Sequence, residues 1–129
     1  MKREGGCYVS AIGSWQKDMI ELDPELVRVA AERGGESGMV VADNRDDCMK
    51  ASGELVRSGL GVDQVLEVGE LLHSLEGESS ELQEKRRECL ATGFVVYKSI
   101  GVSMTDLAAG QAVLEMARKR GQGVSIPDF

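Results

Sequence analysis

Residues 6–23, GCYVSAIGSWQKDMIELD, join a short apolar segment to the start of a helix through a turn of small and polar residues. The apolar segment, residues 7–12, has β-branched and aromatic members and predicts a buried strand. A Gly-Ser turn at residues 13–14 ends it, and Asp23 followed by Pro24 predicts the N-cap and the first residue of a helix. An apolar strand that leads into a helix is typical of an interior strand of a parallel sheet, with ligand groups at the junction.

The rest of the chain repeats this alternation of apolar runs and helical periodicity. The first half predicts a helix from Pro24 to Gly34-Gly35, a strand over 39–42, a helix from Asn44 to Gly59 and a short helix from Asp63 to Leu72. The second half predicts a solvated loop or surface helix over 74–88, a strand over 93–97, a helix over 107–119 opened by Thr105 and Asp106, and an extended tail over 123–127. Continuous apolar strands that alternate with helices predict an α/β fold with a doubly wound parallel sheet.

Length and composition indicate a single globular domain. With 129 residues, 42% of them hydrophobic and 29% charged, the chain can build one core. No apolar run approaches the roughly 20 residues that a membrane helix needs, and no signal-peptide pattern is visible, so we expect a cytoplasmic protein without a membrane partner. Cys7, Cys48 and Cys89 are odd in number and lack a Cys-x-x-Cys pair, which predicts reduced, packed thiols and no metal site.

The charge of the chain argues against nucleic acid as a partner. The formal net charge is −7, whereas a nucleic-acid-binding protein needs a basic surface that displaces counterions from phosphates. The basic residues 118–120 stand at the end of a predicted helix, just before Gly121, where cations interact favourably with the helix dipole. We therefore expect no nucleic-acid partner.

Two predicted strands end in similar corners of small residues. AIGS at residues 11–14 follows the first strand, and KSIG at residues 98–101 follows the last. In a doubly wound sheet such corners lie along the carboxyl edge of the strands, where ligands bind. Glycine and serine also favour tight turns for purely structural reasons, and spacing alone leaves that alternative open.

Four segments occur in a characteristic order. They are AIGSWQKDMIELDPELVRVA (11–30), MVVADNRDDCMKASGEL (39–55), LEVGELL (66–72) and VVYKSIGVSMTDLAAGQAVLEMA (95–117). In order and separation they resemble the ornithine cyclodeaminase and mu-crystallin family. KSIG with Asp106-Leu-Ala-Ala behind it is the most specific of these matches.

The resemblance implies a fold and a domain organisation. Members combine a nucleotide-binding Rossmann domain with a substrate and dimerisation domain, and this chain resembles only their carboxyl-terminal part. Residues 1–129 would form a single partial NAD(P)-binding Rossmann-like domain: the later part of a doubly wound parallel sheet plus a carboxyl-terminal helix, incomplete relative to the family. The helix and tail, about 103–129, would return toward the substrate and dimerisation domain. The expected assembly is a homodimer or an association with a complementing amino-terminal half.

The resemblance also implies a cofactor, NAD or NADP, and a set of site residues. The cofactor positions, near the nicotinamide, are Ile12, Gly13, Ser14 and Ser99; the substrate positions are Trp15 and Ile100. Members place a Gly-x-Gly-x-x-Gly turn at the pyrophosphate, and the chain has none, since Gly59-Leu-Gly61 and Gly121-Gln-Gly123 lack a preceding strand and a third glycine. We therefore expect weak or absent cofactor binding by this chain alone.

No catalytic residue can be carried over from the family. The acid–base Asp of the cyclodeaminases matches Trp15, whose indole donates one hydrogen bond and cannot transfer protons near neutral pH. A Lys that helps to hold the cofactor matches Met19. Asp18 and the single histidine, His73, are weaker candidates, because a solvated carboxylate and a helix-end histidine explain them better than a catalytic role does. Trp15 itself could face substrate or simply pack.

These residues leave two hypotheses for the function. The first is an oxidoreductase of the ketimine reductase or amino-acid dehydrogenase type, which transfers hydride from NAD(P)H to a small imine and is favoured over a cyclodeaminase. The second is a truncated, catalytically inactive remnant that acts as a binding or interaction protein. An open parallel sheet with an unpaired edge would favour association with a partner in either case.

Overall fold

The computed structural model describes residues 5–33, 37–76, 80–124 and 126, and within them four parallel strands form one sheet. The strands are β1 (Cys7–Ala11), β2 (Gly38–Ala42), β3 (Val65–Glu67) and β4 (Phe94–Lys98). Their spatial order is β1-β4-β2-β3, so β4, the last strand in sequence, lies between β1 and β2. Lys98 at the end of β4 is in register with Ala11 on one side and Ala42 on the other.

Helices follow each strand of this sheet. They are α1 (Pro24–Glu32), α2 (Arg45–Ala51), α3 (Gly53–Ser58), α4 (Val68–Ser74), α5 (Glu81–Thr92) and α6 (Ser103–Lys119), with one turn of 3-10 helix at Val62–Gln64. As the sequence predicts, the side chain of Asp23 accepts a hydrogen bond from the Glu25 N–H, and that of Asn44 accepts one from the Asp47 N–H. These bonds satisfy N–H groups that have no partner inside the helix.

The core has two layers, one on each face of the sheet. Alternate strand residues such as Val40 and Val96 pack on one face with α1, α2 and α3, whereas Val41 and Val95 pack on the other with α4 and α5. Helices on both faces of an all-parallel sheet make a doubly wound α/β fold. The predicted fold class is therefore confirmed.

The helix predicted from Asn44 to Gly59 is interrupted. Ser52 adopts an extended conformation (φ −72°, ψ 120°) between α2 and α3, and the Gly53 N–H donates to Ser14 Oγ at 3.2 Å. A Cβ at Gly53 would collide with the carbonyl oxygen of Met19, so the chain approaches here as closely as glycine permits. Apolar residues recur at helical spacing on both sides of Ser52, so the sequence predicted one continuous helix.

The segment predicted as one helix from Asp63 to Leu72 contains a strand. Val65–Glu67 pairs with β2 before α4 begins at Val68. Three residues are too few to show strand periodicity, and the apolar spacing of α4 extended the helical pattern backward. The surface segment 74–88 includes part of α5, whose Gln83 and Cys89 are buried. The predicted helix end at Gly34-Gly35 and parts of the tail over 123–127 lie outside the described residues.

Two parts of the fold have no covering layer among the described residues. Helix α6 contains no buried residue, and Leu107, Val113 and Leu114 on it are at least half exposed. Within the described residues β1 is an edge strand that pairs with β4 alone, and Cys7, Tyr8 and Ser10 on it are exposed, so the prediction of a buried interior strand is wrong. Because Cys7 is exposed, its prediction as a packed thiol is wrong as well, whereas Cys48 and Cys89 are buried and all three are free.

Candidate functional site

The two small-residue corners lie side by side at the carboxyl edge of the sheet. We call residues 11–14 the β1 corner and residues 98–101 the β4 corner. Because β1 and β4 are parallel neighbours, Ala11 is in register with Lys98, and the Ser99 N–H donates to the Ala11 carbonyl oxygen at 3.0 Å. The prediction that the corners share one edge of the sheet is confirmed by this pairing.

The β1 corner is held by the carboxylate of Glu21. Its Oε2 accepts a hydrogen bond from the Ser14 N–H at 2.8 Å and lies 2.7 Å from Lys98 Nζ. Burial acts to raise the pKa of Glu21, but the Lys98 ammonium and the backbone of Ser14 and Gly13 outweigh it and lower that pKa below its ordinary value. Glu21 is therefore ionised near neutral pH and binds backbone N–H groups of the corner.

Beneath Glu21 lies a fully buried group of polar side chains. The Ser14 hydroxyl lies 2.6 Å from Glu54 Oε2 and 2.9 Å from the Met19 carbonyl oxygen, and its single proton can go to one of these acceptors. Lys98 Nζ lies 3.1 Å from Glu54 Oε1, an ion pair without a well-directed hydrogen bond. Lys98 is 1% exposed and both Ser14 and Glu54 are 0% exposed, so water screens none of these interactions well.

The β4 corner is held by a different carboxylate, that of Asp43 at the end of β2. Asp43 Oδ2 accepts hydrogen bonds from the Ser99 hydroxyl at 2.6 Å and from the Gly101 N–H at 3.1 Å, and Oδ1 lies 3.4 Å from the Ile100 nitrogen. Gly101 has φ +85°, a conformation that favours glycine. Burial acts to raise the pKa of Asp43, but hydrogen bonds from Ser99, Cys48 and backbone groups lower it overall.

The thiol of Cys48 lies against this aspartate. Its Sγ donates to Asp43 Oδ1 at 3.2 Å, and burial together with the nearby carboxylate raises the pKa of Cys48 to about 12. A thiol with such a pKa carries almost no thiolate near neutral pH and is a poor nucleophile. Cys48 is therefore a packing and hydrogen-bonding residue of the β4 corner.

The residues singled out from the sequence occupy different environments on this edge. Ile12 and Trp15 are 69% and 55% exposed, whereas the Ser14 side chain faces the buried group. Ile100 is partly buried and packs against the core layer of α1 and Val96. The Ser99 hydroxyl donates to Asp43 and accepts from the Gly101 N–H. The roles of all six predicted site residues in binding cofactor or substrate stay predictions.

Four residues that organise the edge were missed by sequence reasoning: Glu21, Asp43, Glu54 and Lys98. Lys98 had a visible signal, because a lysine that continues the apolar run FVVY needs a buried partner or a route to solvent. Asp43 directly follows a buried strand, the position at which ligand-edge groups occur. Glu21 and Glu54 gave no comparable signal, since their partners lie up to 77 residues away in the chain.

The accessible surface of this edge suits a flat, largely apolar ring better than a phosphate. Ile12 and Trp15, which stand directly before Gly13 and two residues after it, are both exposed. The N–H groups of Ser14 and Gly101 are already bound to carboxylates, which would also repel an anion. The residues therefore fit the nicotinamide end of a dinucleotide and do not fit its pyrophosphate. In the described part of the chain, no group of three acidic, histidine or cysteine residues could hold a metal ion.

Curated proteins match most of this chain but only part of their own length. Ketimine reductase mu-crystallin from Mus musculus is 30% identical over 110 residues, which are 85% of this chain and 28% of the mouse protein. An uncharacterized protein from Saccharomyces cerevisiae is 31% identical over 112 residues, which are 87% of this chain and 29% of the yeast protein. The chain thus spans less than a third of the length of these relatives. No family model matches it.

A solved structure agrees with the sequence relatives. The structure, described as a probable ornithine cyclodeaminase from Bordetella pertussis Tohama I, superposes on this chain with a TM-score of 0.55 at 27% identity. The match covers 92% of this chain and 34% of that one. No helix in the described residues is both long and apolar enough to cross a membrane. Over the region that it spans, this chain belongs to the ornithine cyclodeaminase and mu-crystallin family.

Proposed function

We propose that this chain supplies the nicotinamide side of an NAD(P)-dependent oxidoreductase site that acts on a small imine or amino acid. The observation that carries this proposal is the placement of the two corners on neighbouring parallel strands at the carboxyl edge. Membership in a family of NAD(P)-dependent proteins supports it. So does the exposed apolar surface that Ile12 and Trp15 offer beside a glycine.

Within this proposal, imine reduction is favoured over cyclodeamination. Trp15 stands where the resemblance places the acid–base carboxylate of the cyclodeaminases, and an indole cannot take up or release a proton near neutral pH. The match to a protein named as a ketimine reductase points the same way. When bound, the reduced cofactor would supply a hydride; the protein would supply orientation.

The described residues suggest how that orientation is achieved. Ile12 and Trp15 would contact the ring or the substrate through exposed apolar surface, and Ile100 would border the substrate from the β4 corner. Ser99 has its proton committed to Asp43 and receives the Gly101 N–H, so it would offer the cofactor a remaining lone pair. The corners would thus provide a shaped, rigid surface rather than a proton donor.

Trp15, the single tryptophan of the chain, gives a direct test. Titration with NADH and with NADPH, up to millimolar concentrations, should quench Trp15 emission and sensitise nicotinamide fluorescence, whereas AMP should do neither. Ile12→Asp should weaken this signal because it places a charge beside the ring. Leu72→Asp, at a 59% exposed position on α4, is the matched control and should leave it unchanged. No quenching by either reduced cofactor, both with the chain alone and with a complementing polypeptide that carries the phosphate-binding turn, would overturn the proposal.

A second assay separates the two chemistries. If the chain, alone or with a complementing polypeptide, consumes NAD(P)H in the presence of a cyclic imino acid and releases no ammonia from ornithine, the reductase assignment holds. Release of ammonia from ornithine would overturn it. Trp15→Asp is the informative variant, since it restores the carboxylate that the resemblance associates with cyclodeamination.

The uncovered surfaces favour a second candidate, a binding or interaction protein. Helix α6 buries none of its residues, and exposed Tyr8 lies on a strand with a neighbour on one side. Such surfaces favour a homodimer or a complementing polypeptide that carries the phosphate-binding turn. A molar mass measured by light scattering that equals the monomer at high concentration would count against the homodimer.

The three free cysteines fit a reducing compartment, and we propose a cytoplasmic location on that ground.

A further inference from the structure

Four polar side chains beneath the β1 corner join segments that are far apart in the sequence. Ser14 and Glu21 belong to the loop between β1 and α1, Glu54 to α3, and Lys98 to the end of β4. We propose that Lys98 is a positioning residue: through Glu21 and Glu54 it fixes the backbone of the β1 corner against the β4 corner. The proposed function assigns no role to Lys98, Glu21 or Glu54.

Lys98 acts through other residues because it cannot reach a ligand itself. Its side chain is 1% exposed, and its ammonium lies 2.7 Å from Glu21 and 3.1 Å from Glu54. The backbone of Lys98 begins the β4 corner, so the same residue belongs to one corner and holds the other by its side chain. This connection is independent of the strand pairing that already joins Ala11 to Ser99.

Glu21 carries the connection to the β1 corner. Its Oε2 receives both the Lys98 ammonium and the Ser14 N–H, so a single carboxylate oxygen joins the lysine to the corner backbone. A Cβ on Gly13 would lie 2.7 Å from Glu21 Oε1, which shows how closely the carboxylate lies against that residue. A valine at Gly13 would displace Glu21 before it touched a ligand, so that substitution does not probe the cofactor surface cleanly.

Stability alone does not explain the cluster. Desolvating a lysine and two carboxylates offsets most of their mutual attraction, and well-packed apolar side chains are often as stable or more so. In some proteins, however, a buried polar or ionic group specifies one geometry, because it has few alternative partners in the interior. The cluster can therefore fix the position of the β1 corner backbone relative to the β4 corner.

The loop between β1 and α1, which contains most of the β1 corner, shows why such a connection matters. Residues 12–23 contain no helix or strand, and the N–H groups of a loop without regular structure depend on side chains for partners. Without Glu21, the Ser14 N–H would lose its acceptor and the loop would lose its tie to β4. The consequence for cofactor binding rests on the proposed function, but the effect on the corner does not.

The test measures backbone motion in the chain without any cofactor. Nitrogen-15 relaxation should give order parameters of about 0.85 for the amides of Ser14 and Trp15, and Glu21→Ala should lower them below about 0.6. Lys98→Met should do the same where it remains folded. Glu21 is the safer site for the decisive variant, since its side chain is 32% exposed and Lys98 keeps Glu54 as a partner.

Two control variants separate positioning from general destabilisation. Val95→Ala opens the core layer on the opposite face of the sheet from the Lys98 side chain and should leave the corner order parameters unchanged. Asp18→Ala removes an exposed carboxylate of the same loop, which has no hydrogen-bond partner within the described residues, and should also leave them unchanged. Rigid Ser14 and Trp15 amides in folded Glu21→Ala would overturn the inference. Because no cofactor is present, failure of NADH to bind would not affect this result.

Discussion

The β1 corner and the β4 corner contain similar small residues, but different chemistry holds them. A buried lysine and two carboxylates support the β1 corner, and Lys98 links them. The β4 corner depends on one carboxylate, Asp43, which accepts hydrogen bonds from a hydroxyl and backbone N–H groups and has no ion pair among the described residues. One corner is thus held by charge pairs in the interior and the other by hydrogen bonds at the end of a neighbouring strand.

This difference shows how a sheet edge can be shaped from residues that are not on it. Glu21 and Glu54 reach the β1 corner from a loop and a helix, whereas Asp43 follows directly from β2. Removal of the Lys98 cation should therefore destabilise the β1 corner strongly. The β4 corner should be destabilised by loss of a carboxylate oxygen of Asp43 or by a Cβ at Gly101.

Lys98→Met should have the largest effect. It leaves the fully buried Glu54 and the partly exposed Glu21 without their cation, and breaking a buried pair such as Lys98–Glu54 costs about 3–5 kcal/mol in the free energy of unfolding. Urea denaturation followed by circular dichroism measures it. Lys50→Met, at an exposed position of α2, should change the same quantity by no more than about 0.5 kcal/mol. Equal effects of the two substitutions would contradict the account.

Asp43→Asn should have an intermediate effect on the β4 corner. The amide has one acceptor oxygen, so in either orientation its NH₂ group would face donors that the carboxylate now binds, on the side of Ser99 and Gly101 or on the side of Asn44 and Cys48. Leaving such donors without acceptors costs about 1–3 kcal/mol in unfolding free energy. Asp46→Asn on the exposed side of α2 is the control. If Asp43→Asn lowered the free energy of unfolding more than Lys98→Met does, the proposal that the β1 corner depends more on its charged residues than the β4 corner does on Asp43 would be wrong.

Gly101→Ala should cost about 1 kcal/mol, because φ +85° is unfavourable for a residue with a Cβ and no neighbour crowds the site. The cost would come from the backbone alone. Gly61 has an ordinary φ of −77°, so Gly61→Ala should leave the unfolding free energy unchanged or raise it slightly. Thermal unfolding of both variants measures the difference, and a loss at Gly61 equal to that at Gly101 would refute the backbone explanation.

Acid should weaken both corners gradually. The pKa values of Glu21 and Asp43 are lowered in the folded chain, so these carboxylates stabilise it above their unfolded pKa values. That stabilisation is lost as the pH falls below about 4.5 and through the lowered pKa values. Glu21→Gln should flatten the acid limb of a plot of unfolding free energy against pH. An unchanged slope would show that Glu21 does not contribute.

The sequence predicted the framework of this site better than its details. Strand and helix alternation gave the doubly wound fold, and Asp23, Asn44 and the small-residue corners lay at or near their predicted places, because those signals are local. The break at Ser52 and the strand at Val65–Glu67 were hidden by apolar periodicity that ran through them. Glu21 and Glu54 were hidden for another reason: their function depends on Lys98, which topology alone brings near.

If the two corners form one surface for a nicotinamide ring, amides of both corners should respond together to a ligand that carries this ring. Reduced nicotinamide mononucleotide should be titrated into nitrogen-15-labelled protein, with AMP as the control. We expect the amide signals of Ile12, Gly13 and Trp15 in one corner region, and those of Ser99 and Ile100 in the other, to shift together with the nicotinamide compound and to stay unchanged with AMP. Shifts at one corner without the other, or the same shifts with both compounds, would contradict a shared nicotinamide surface.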